Sequence, residues 1–121
     1  MNTPGTINYV EFPAKDIEAT KRFFETVFSW TFRDFGPEYS TFSDQGINGG
    51  FYAADMHSSC DKGAALIVLY SEDLETTKTR IEQADGAIIK PIFSFPGGRR
   101  FHFREPSGNE MAVWSDKEVD S

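Results

Sequence analysis

The chain repeats a stretch of its own sequence, and this repeat constrains the fold more than any other feature. Residues 16–25 read DIEATKRFFE and residues 73–82 read DLETTKTRIE, so five of the ten positions are identical at a constant offset of 57. A duplicated supersecondary unit explains such a match, because one copy alone cannot bury its apolar side and two copies together can. The sequence therefore predicts two similar halves.

Both copies of the repeat have the pattern of an amphipathic helix. Their apolar side chains fall on one stripe at helical spacing, with polar side chains elsewhere. Asp16 or Ser71 can accept hydrogen bonds from the free amides of a first turn, and Gly86 suits a left-handed exit from the second helix. We predict one helix in each half.

Apolar segments of strand length surround each predicted helix, one before it and three after it. We predict eight strands, at 7–12, 30–35, 39–43, 47–53, 64–70, 87–95, 99–104 and 109–114. Clusters of Gly, Pro, Asp and Ser separate the later strands as turns. The order is βαβββ twice, which predicts an α+β fold.

The length of 121 residues leaves room for one compact domain, which we assign to residues 1–121. We place the first βαβββ module at 5–54, a polar linker at 55–63 and the second module at 64–116. A lone module leaves part of its sheet uncovered. Two modules that curl around a shared interior remove this problem, and the interior is a cavity wherever side chains do not fill it.

Composition excludes several classes of function. The 12 basic and 19 acidic residues give a net charge of -7, so the surface repels phosphate backbones and nucleic acid is not an expected partner. We find no secretory leader and no apolar run of about 18 residues, so we expect a cytoplasmic protein without membrane partners. The single cysteine, Cys60, excludes an internal disulfide and is interpreted as an ordinary loop residue.

Two segments resemble the vicinal oxygen chelate (VOC) superfamily, which includes glyoxalase I (lactoylglutathione lyase), extradiol dioxygenases and bleomycin-resistance proteins. The segment INYVEFPAKDIEATKRFFETVFSW is similar to the superfamily's opening strand and helix. The segment GGRRFHFREPSGNEMAVWS is similar to its closing DPDGN hairpin and strand, with Glu105 and Ser107 where Asp is usual. The resemblance covers nearly the whole chain. It implies paired modules around a small-molecule cavity, and a homodimer.

The resemblance also implies four metal-ligand positions, one from the first strand and one from the last strand of each module. These positions fall on Tyr9, Leu66 and Ala112, and near Gly50. A divalent metal needs three or four converging donors, and these four residues offer at most one weak phenol. We therefore expect neither the usual metal nor another cofactor, and glyoxalase I chemistry, which needs the metal, is not favoured.

If Tyr9 faces the cavity, strand alternation predicts which other side chains share its face. The side chains brought together in this way are Tyr9, Glu11, Leu66, Val68, Tyr70, Glu110, Ala112 and Trp114, and Tyr52 is a further candidate for stacking on a ligand. The result would be an aromatic pocket with two carboxylates. A desolvated carboxylate there would have a raised pKa, and could bind a cationic ligand or act as a general base.

Glu11 and His102 are the candidate catalytic residues, and each has a structural alternative. Glu11 can instead form a salt bridge to one of three arginines, Arg99, Arg100 or Arg104. His102 can transfer a proton near neutral pH if it faces the pocket, or pair with an acidic neighbour if it faces outward. The sequence does not determine which face points inward.

Three functions are compatible with these patterns. The first is a metal-free protein that binds a small organic molecule in an aromatic cavity. The second is a lyase or isomerase related to lactoylglutathione lyase, which uses an unusual metal site or acid/base chemistry through Glu11. The third is a partner-binding module whose cavity is filled by side chains. The sequence leaves open whether the chain is an enzyme.

Overall fold

The computed structural model describes residues 2–118, and its first half is a four-stranded sheet with one helix. The elements are β1 (Tyr9–Ala14), α1 (Ile17–Phe28), β2 (Phe32–Asp34), β3 (Tyr39–Gln45) and β4 (Ile47–Ala53). The strand order is β1-β4-β3-β2, in which β1 is parallel to β4 and the other pairs are antiparallel.

The second half repeats this topology. Its elements are a short 3-10 turn (Cys60–Lys62), β5 (Val68–Tyr70), α2 (Leu74–Gln83), β6 (Ala87–Phe95), β7 (Gly98–Arg104) and β8 (Glu110–Ser115). The order is β5-β8-β7-β6, with β5 parallel to β8. The predicted α+β fold with two βαβββ modules is confirmed. No helix within residues 2–118 is long and apolar enough to span a membrane.

Equivalent aspartates cap the two helices. Asp16 accepts a hydrogen bond from the Ala19 amide at 3.1 Å, and Asp73 accepts one from the Thr76 amide at 3.1 Å. Ser71, the predicted cap of the second helix, lies two residues before the observed cap and instead accepts a hydrogen bond from the Asp73 amide at 3.0 Å. The two modules therefore share the local hydrogen bond that starts each helix, as well as their topology.

The exit from α2 differs from the prediction. The left-handed residue after the helix is Asp85, with φ of 69°, and not Gly86. Gly86 is required for another reason, since a Cβ there would lie 2.6 Å from Ile81 Cγ2 and 2.8 Å from Phe23 Cε1. Close packing between the two halves therefore explains this glycine.

Four predicted strands, those corresponding to β1, β2, β5 and β8, begin too early along the chain. β1 begins at Tyr9 and leaves Ile7 exposed, although we expected a strand over 7–12. β5 contains only Val68–Tyr70 of the predicted 64–70, because only these residues align with β8 in the parallel ladder. Apolar composition alone does not show where a ladder begins.

One hydrophobic core joins the modules. The ring of Phe23 in α1 stacks on Phe103 of β7 in the other module, with centroids 5.7 Å apart. Within the first module, Phe24 stacks on Trp30 at 4.5 Å and on Phe51 at 5.7 Å. Each helix thus covers one face of its own sheet, and α1 also contacts the second sheet.

The turn between β7 and β8 connects the modules through buried hydrogen bonds. Asn109 Nδ2 donates to the Pro13 carbonyl at 2.7 Å, and the Ser58 amide donates to Asn109 Oδ1 at 2.8 Å. Glu105 accepts hydrogen bonds from the Thr20 hydroxyl and from the Asn109 amide. Burial raises the pKa of Glu105 despite these hydrogen bonds.

Candidate functional site

A cavity of about 630 Å³ lies between the two modules. The first module lines it with the rings of Phe12, Phe28, Trp30 and Phe42, and the second module lines it with residues 66–70. The volume is in the usual range for sites that enclose a small organic molecule. Its walls include Phe28 at the end of α1 and side chains from strands of both sheets, such as Phe42 and Met111.

Three of the predicted ligand-binding residues line this cavity. They are Leu66, Val68 and Tyr70, all from β5 or the segment before it. The remaining predicted residues are not in its lining: Tyr9, Glu11, Tyr52, Glu110, Ala112, Trp114 and His102. The expected pocket with two carboxylates is not formed there, and none of the charged side chains among residues 2–118 lines the cavity. Strand alternation indicates which residues share a face of a strand, but it does not show which of them enclose the cavity.

Tyr9 and Glu11 belong to a hydrogen-bonded chain on the face of the first sheet opposite α1. Tyr39 donates to Glu11 Oε2 at 2.8 Å, so Tyr9 must donate to Tyr39, whose hydroxyl lies 2.6 Å away. Desolvation, followed by the hydrogen bonds to Tyr9 and Glu11, raises the pKa of Tyr39. Tyr39 thus remains a proton donor.

Glu11 itself is exposed, and not desolvated as the sequence suggested. It forms no salt bridge to a basic residue within residues 2–118, so the arginine alternative is wrong for this part of the chain. Arg99 instead pairs with Glu75 of α2. Tyr39, which the sequence reasoning missed, is placed beside Glu11 by the β3–β4 register and by no local motif.

His102 is buried and pairs with an acidic neighbour, but it lies neither in the cavity lining nor on an exposed outer face, so it matches neither predicted environment in full. Its side chain is on the face of the second sheet opposite Phe103, and its Nδ1 lies 2.8 Å from Glu110 Oε2. The Cys60 amide donates to Glu110 Oε1 at 2.9 Å. Burial acts to raise the pKa of Glu110, but these hydrogen bonds outweigh it and the pKa is lowered.

Cys60 lies beside this pair although it is far away in sequence. The 3-10 turn carries it over the face of the second sheet, where its sulfur, a ring nitrogen of His102 and a carboxylate oxygen of Glu110 lie within 4.8 Å of one another. The side chain of Cys60 remains exposed. No spacing in the sequence predicts this cluster, because it depends on how the linker packs.

Arg100 shares this face and lies among aromatic rings. Its guanidinium carbon is 5.3 Å from the ring centre of Phe93 and 5.8 Å from that of Phe95. Trp114, in register with Arg100, packs against Tyr70 with ring centres 5.2 Å apart. Cation–π contacts of this kind hold a guanidinium in place without an acidic partner.

The family model of the Glyoxalase/Bleomycin resistance protein/Dioxygenase superfamily matches residues 6–113. The chain belongs to this superfamily. The match spans both modules, which agrees with the repeated topology. No curated protein matches the chain.

Solved structures of the superfamily have the same fold at low sequence identity. A glyoxalase-related enzyme from Fulvimarina pelagi is 16% identical with a TM-score of 0.76, covering 92% of this chain and 88% of that one. A family enzyme from Burkholderia phytofirmans PsJN is 14% identical with a TM-score of 0.77, covering 93% and 100%. A lactoylglutathione lyase from Agrobacterium tumefaciens is 17% identical with a TM-score of 0.67, covering 94% and 96%. These likenesses show the fold alone.

The residues at the superfamily's expected metal positions do not fit a metal. The hydroxyl of Tyr9 is hydrogen bonded to Tyr39, and Leu66 has no donor atom. Ala112 is a fully buried methyl group. Near Gly50 the space is taken by Tyr39, whose hydroxyl would lie 2.5 Å from a Cβ. The usual ligand set has no counterpart at these positions.

Proposed function

We propose that this superfamily member binds a small organic molecule in the cavity between its modules, without the superfamily's usual metal. The observation that carries the proposal is the cavity of about 630 Å³, to which both modules contribute aromatic and aliphatic walls. Sites for small organic ligands are mostly apolar, with few polar groups. The residues at the inherited metal positions supply no ligand set, which supports binding over metal chemistry.

The lining favours an uncharged, planar ligand. Phe28, Trp30 and Phe42 offer ring faces on which a planar molecule can stack. Gln45 and Tyr70 are the polar side chains of the wall. A cationic ligand, which the net charge alone favoured, would be desolvated in this cavity without a carboxylate to balance it.

The experiment is a fluorescence and calorimetric screen with neutral planar aromatic compounds. Trp30 is a wall residue only 7% exposed, so a ligand in the cavity should change its emission. Leu66→Phe adds volume to the wall and should weaken binding by about 5- to 150-fold, since extra side-chain volume in a filled site costs about 1–3 kcal/mol. The matched control, Met56→Phe, changes an exposed residue outside the lining and should bind as the original chain does.

Two results would contradict this proposal. One is a screen in which no compound changes the emission or raises the melting temperature. The other is a ligand whose affinity is equal in Leu66→Phe and Met56→Phe. The first result would favour the third function, a module whose cavity is filled by its own side chains or by a protein partner.

A homodimer is part of the same proposal. Exposed apolar and aromatic side chains of β1 and β5, Tyr9, Val68 and Tyr70, provide surface that a second copy can cover. The superfamily resemblance supports such pairing. Sedimentation equilibrium should give twice the chain mass of 13.6 kDa, and a monomer across the micromolar range would contradict it.

A second candidate function is a lyase or isomerase that uses acid/base chemistry. The chain of hydrogen bonds from Tyr9 through Tyr39 to Glu11 favours it, because a carboxylate beside a protonated phenol can accept and return a proton. Glu11→Gln should then abolish any turnover found in the ligand screen while the melting temperature stays unchanged. Turnover that survives Glu11→Gln would remove Glu11 from the mechanism.

A further inference from the structure

Three side chains with metal-binding atoms meet on the second sheet, away from the cavity lining. They are the thiol of Cys60, the imidazole of His102 and the carboxylate of Glu110, with ligand atoms within 4.8 Å of one another. Within residues 2–118 this is the one such cluster of His, Cys, Asp and Glu. None of the three occupies a position at which the superfamily resemblance places a metal ligand.

The cluster is held in place before any ligand binds. His102 and Glu110 come from adjacent strands, β7 and β8, and are 2% and 6% exposed. The Cys60 amide is fixed to the same carboxylate at 2.9 Å. His102 Nδ1 already faces the Glu110 carboxylate at 2.8 Å, so a metal ion shared by the two side chains would replace that hydrogen bond.

We propose that Cys60, His102 and Glu110 bind a zinc ion. Thiolate, imidazole and carboxylate are the three ligand types that zinc takes in proteins. Three protein ligands leave the fourth tetrahedral position open for water or another small ligand. The ligands come from one module and the linker, and not from the facing strands of two modules.

The charges in the cluster suit a dication. A thiolate and a carboxylate together neutralise Zn²⁺, and the proton of the Cys60 thiol leaves to solvent as the metal binds. Desolvation and the hydrogen bond to Glu110 raise the pKa of the Cys60 thiol in the metal-free chain, so zinc binding must release this proton.

The experiment titrates the chelator-stripped full chain with Zn²⁺ against a chromogenic competitor. Cys60→Ser should weaken zinc binding by about 100-fold or more, because loss of outer-shell partners alone costs about 10- to 100-fold. Cys60 is exposed, so the serine variant is expected to fold. The control is His57→Gln, which removes the other histidine of the chain and should leave zinc affinity unchanged.

Substitution with Co²⁺ tests directly whether the sulfur of Cys60 binds the metal. The Co²⁺ form of the original chain should show a sulfur-to-metal charge-transfer band in the near ultraviolet, and Cys60→Ser should lack it. Zinc should also slow alkylation of Cys60, the single cysteine, by iodoacetamide. Equal zinc affinity in the original chain and Cys60→Ser, or a Co²⁺ spectrum without the band, would overturn the proposal.

The zinc site and the cavity ligand are tested separately. Leu66→Phe, which fills the cavity, should bind zinc as the original chain does, because none of the three zinc ligands lines the cavity. Failure of one proposal therefore leaves the other standing.

Discussion

Replacement of Asn109 by alanine should destabilise the fold by disconnecting the two modules. The side chain is fully buried and joins three segments that are distant in sequence. Its Nδ2 donates to the Pro13 carbonyl at 2.7 Å, at the end of β1, and its Oδ1 accepts from the Ser58 amide at 2.8 Å, in the linker. Alanine removes both hydrogen bonds and leaves a carbonyl and an amide without their partner.

The magnitude follows from the burial of those two groups. A buried polar group that loses its partner costs about 1–3 kcal/mol. Pro13 is buried, so loss of the partner of its carbonyl accounts for most of the decrease in the free energy of unfolding. Ser58 is half-buried, so water can replace part of the hydrogen bond of its amide. We expect Asn109→Ala to lower the free energy of unfolding by about 2–4 kcal/mol.

Urea denaturation followed by circular dichroism measures the loss, and Asn48→Ala is the matched control. Asn48 is exposed and accepts one hydrogen bond, from the Asp44 amide at 3.2 Å, so its replacement should change the free energy by no more than about 0.5 kcal/mol. A loss below about 1 kcal/mol for Asn109→Ala, or one equal to the control, would refute the role of the buried hydrogen bonds.

Two further variants test a buried carboxylate and a close backbone contact in the second module. Burial raises the pKa of Glu105 in the folded chain, so the folded state binds this proton more tightly than the unfolded state does. The free energy of unfolding should therefore fall as the pH rises through the folded pKa. Glu105→Gln should remove this part of the pH dependence, and parallel urea-stability profiles for the two chains between about pH 5 and 8 would contradict it. Gly98→Ala places a Cβ 2.1 Å from the Ser115 carbonyl, which must separate β7 from β8 and cost about 1–3 kcal/mol. An unchanged melting temperature would contradict that prediction.

The fold could be predicted because its signals are local and occur twice. The repeated helix segment, strand alternation and turn residues each act within a few positions, so the order of elements followed from them. Strands such as Ile47–Ala53 and Ala87–Phe95 have the predicted bounds. The predictions were wrong where contacts between distant elements determine the local structure. Gly86 is set by packing against Phe23, and β5 is shortened by its register with β8.

The site could be predicted only in part, for the same physical reason. Alternation shows that Glu110, Ala112 and Trp114 share a face, but not what covers that face. The linker turn covers it and brings Cys60 to Glu110, which is a contact between residues 50 positions apart. His102 likewise had two possible environments until the register with β8 placed it near Glu110. Leu66, Val68 and Tyr70 were found because the edge of the second module forms a wall of the cavity.

The position of the proposed zinc ligands bears on whether metal binding needs paired modules. Glu110 precedes Ala112, the inherited position, by two residues, and His102 is the direct cross-strand neighbour of Ala112. Both side chains therefore lie on the same face as the inherited position, shifted within a single module. The inherited set takes ligands from both modules, whereas this set takes them from the second module and the linker. Zinc affinity should then be independent of cavity occupancy, whereas a metal held between the two modules would lie where the cavity ligand binds.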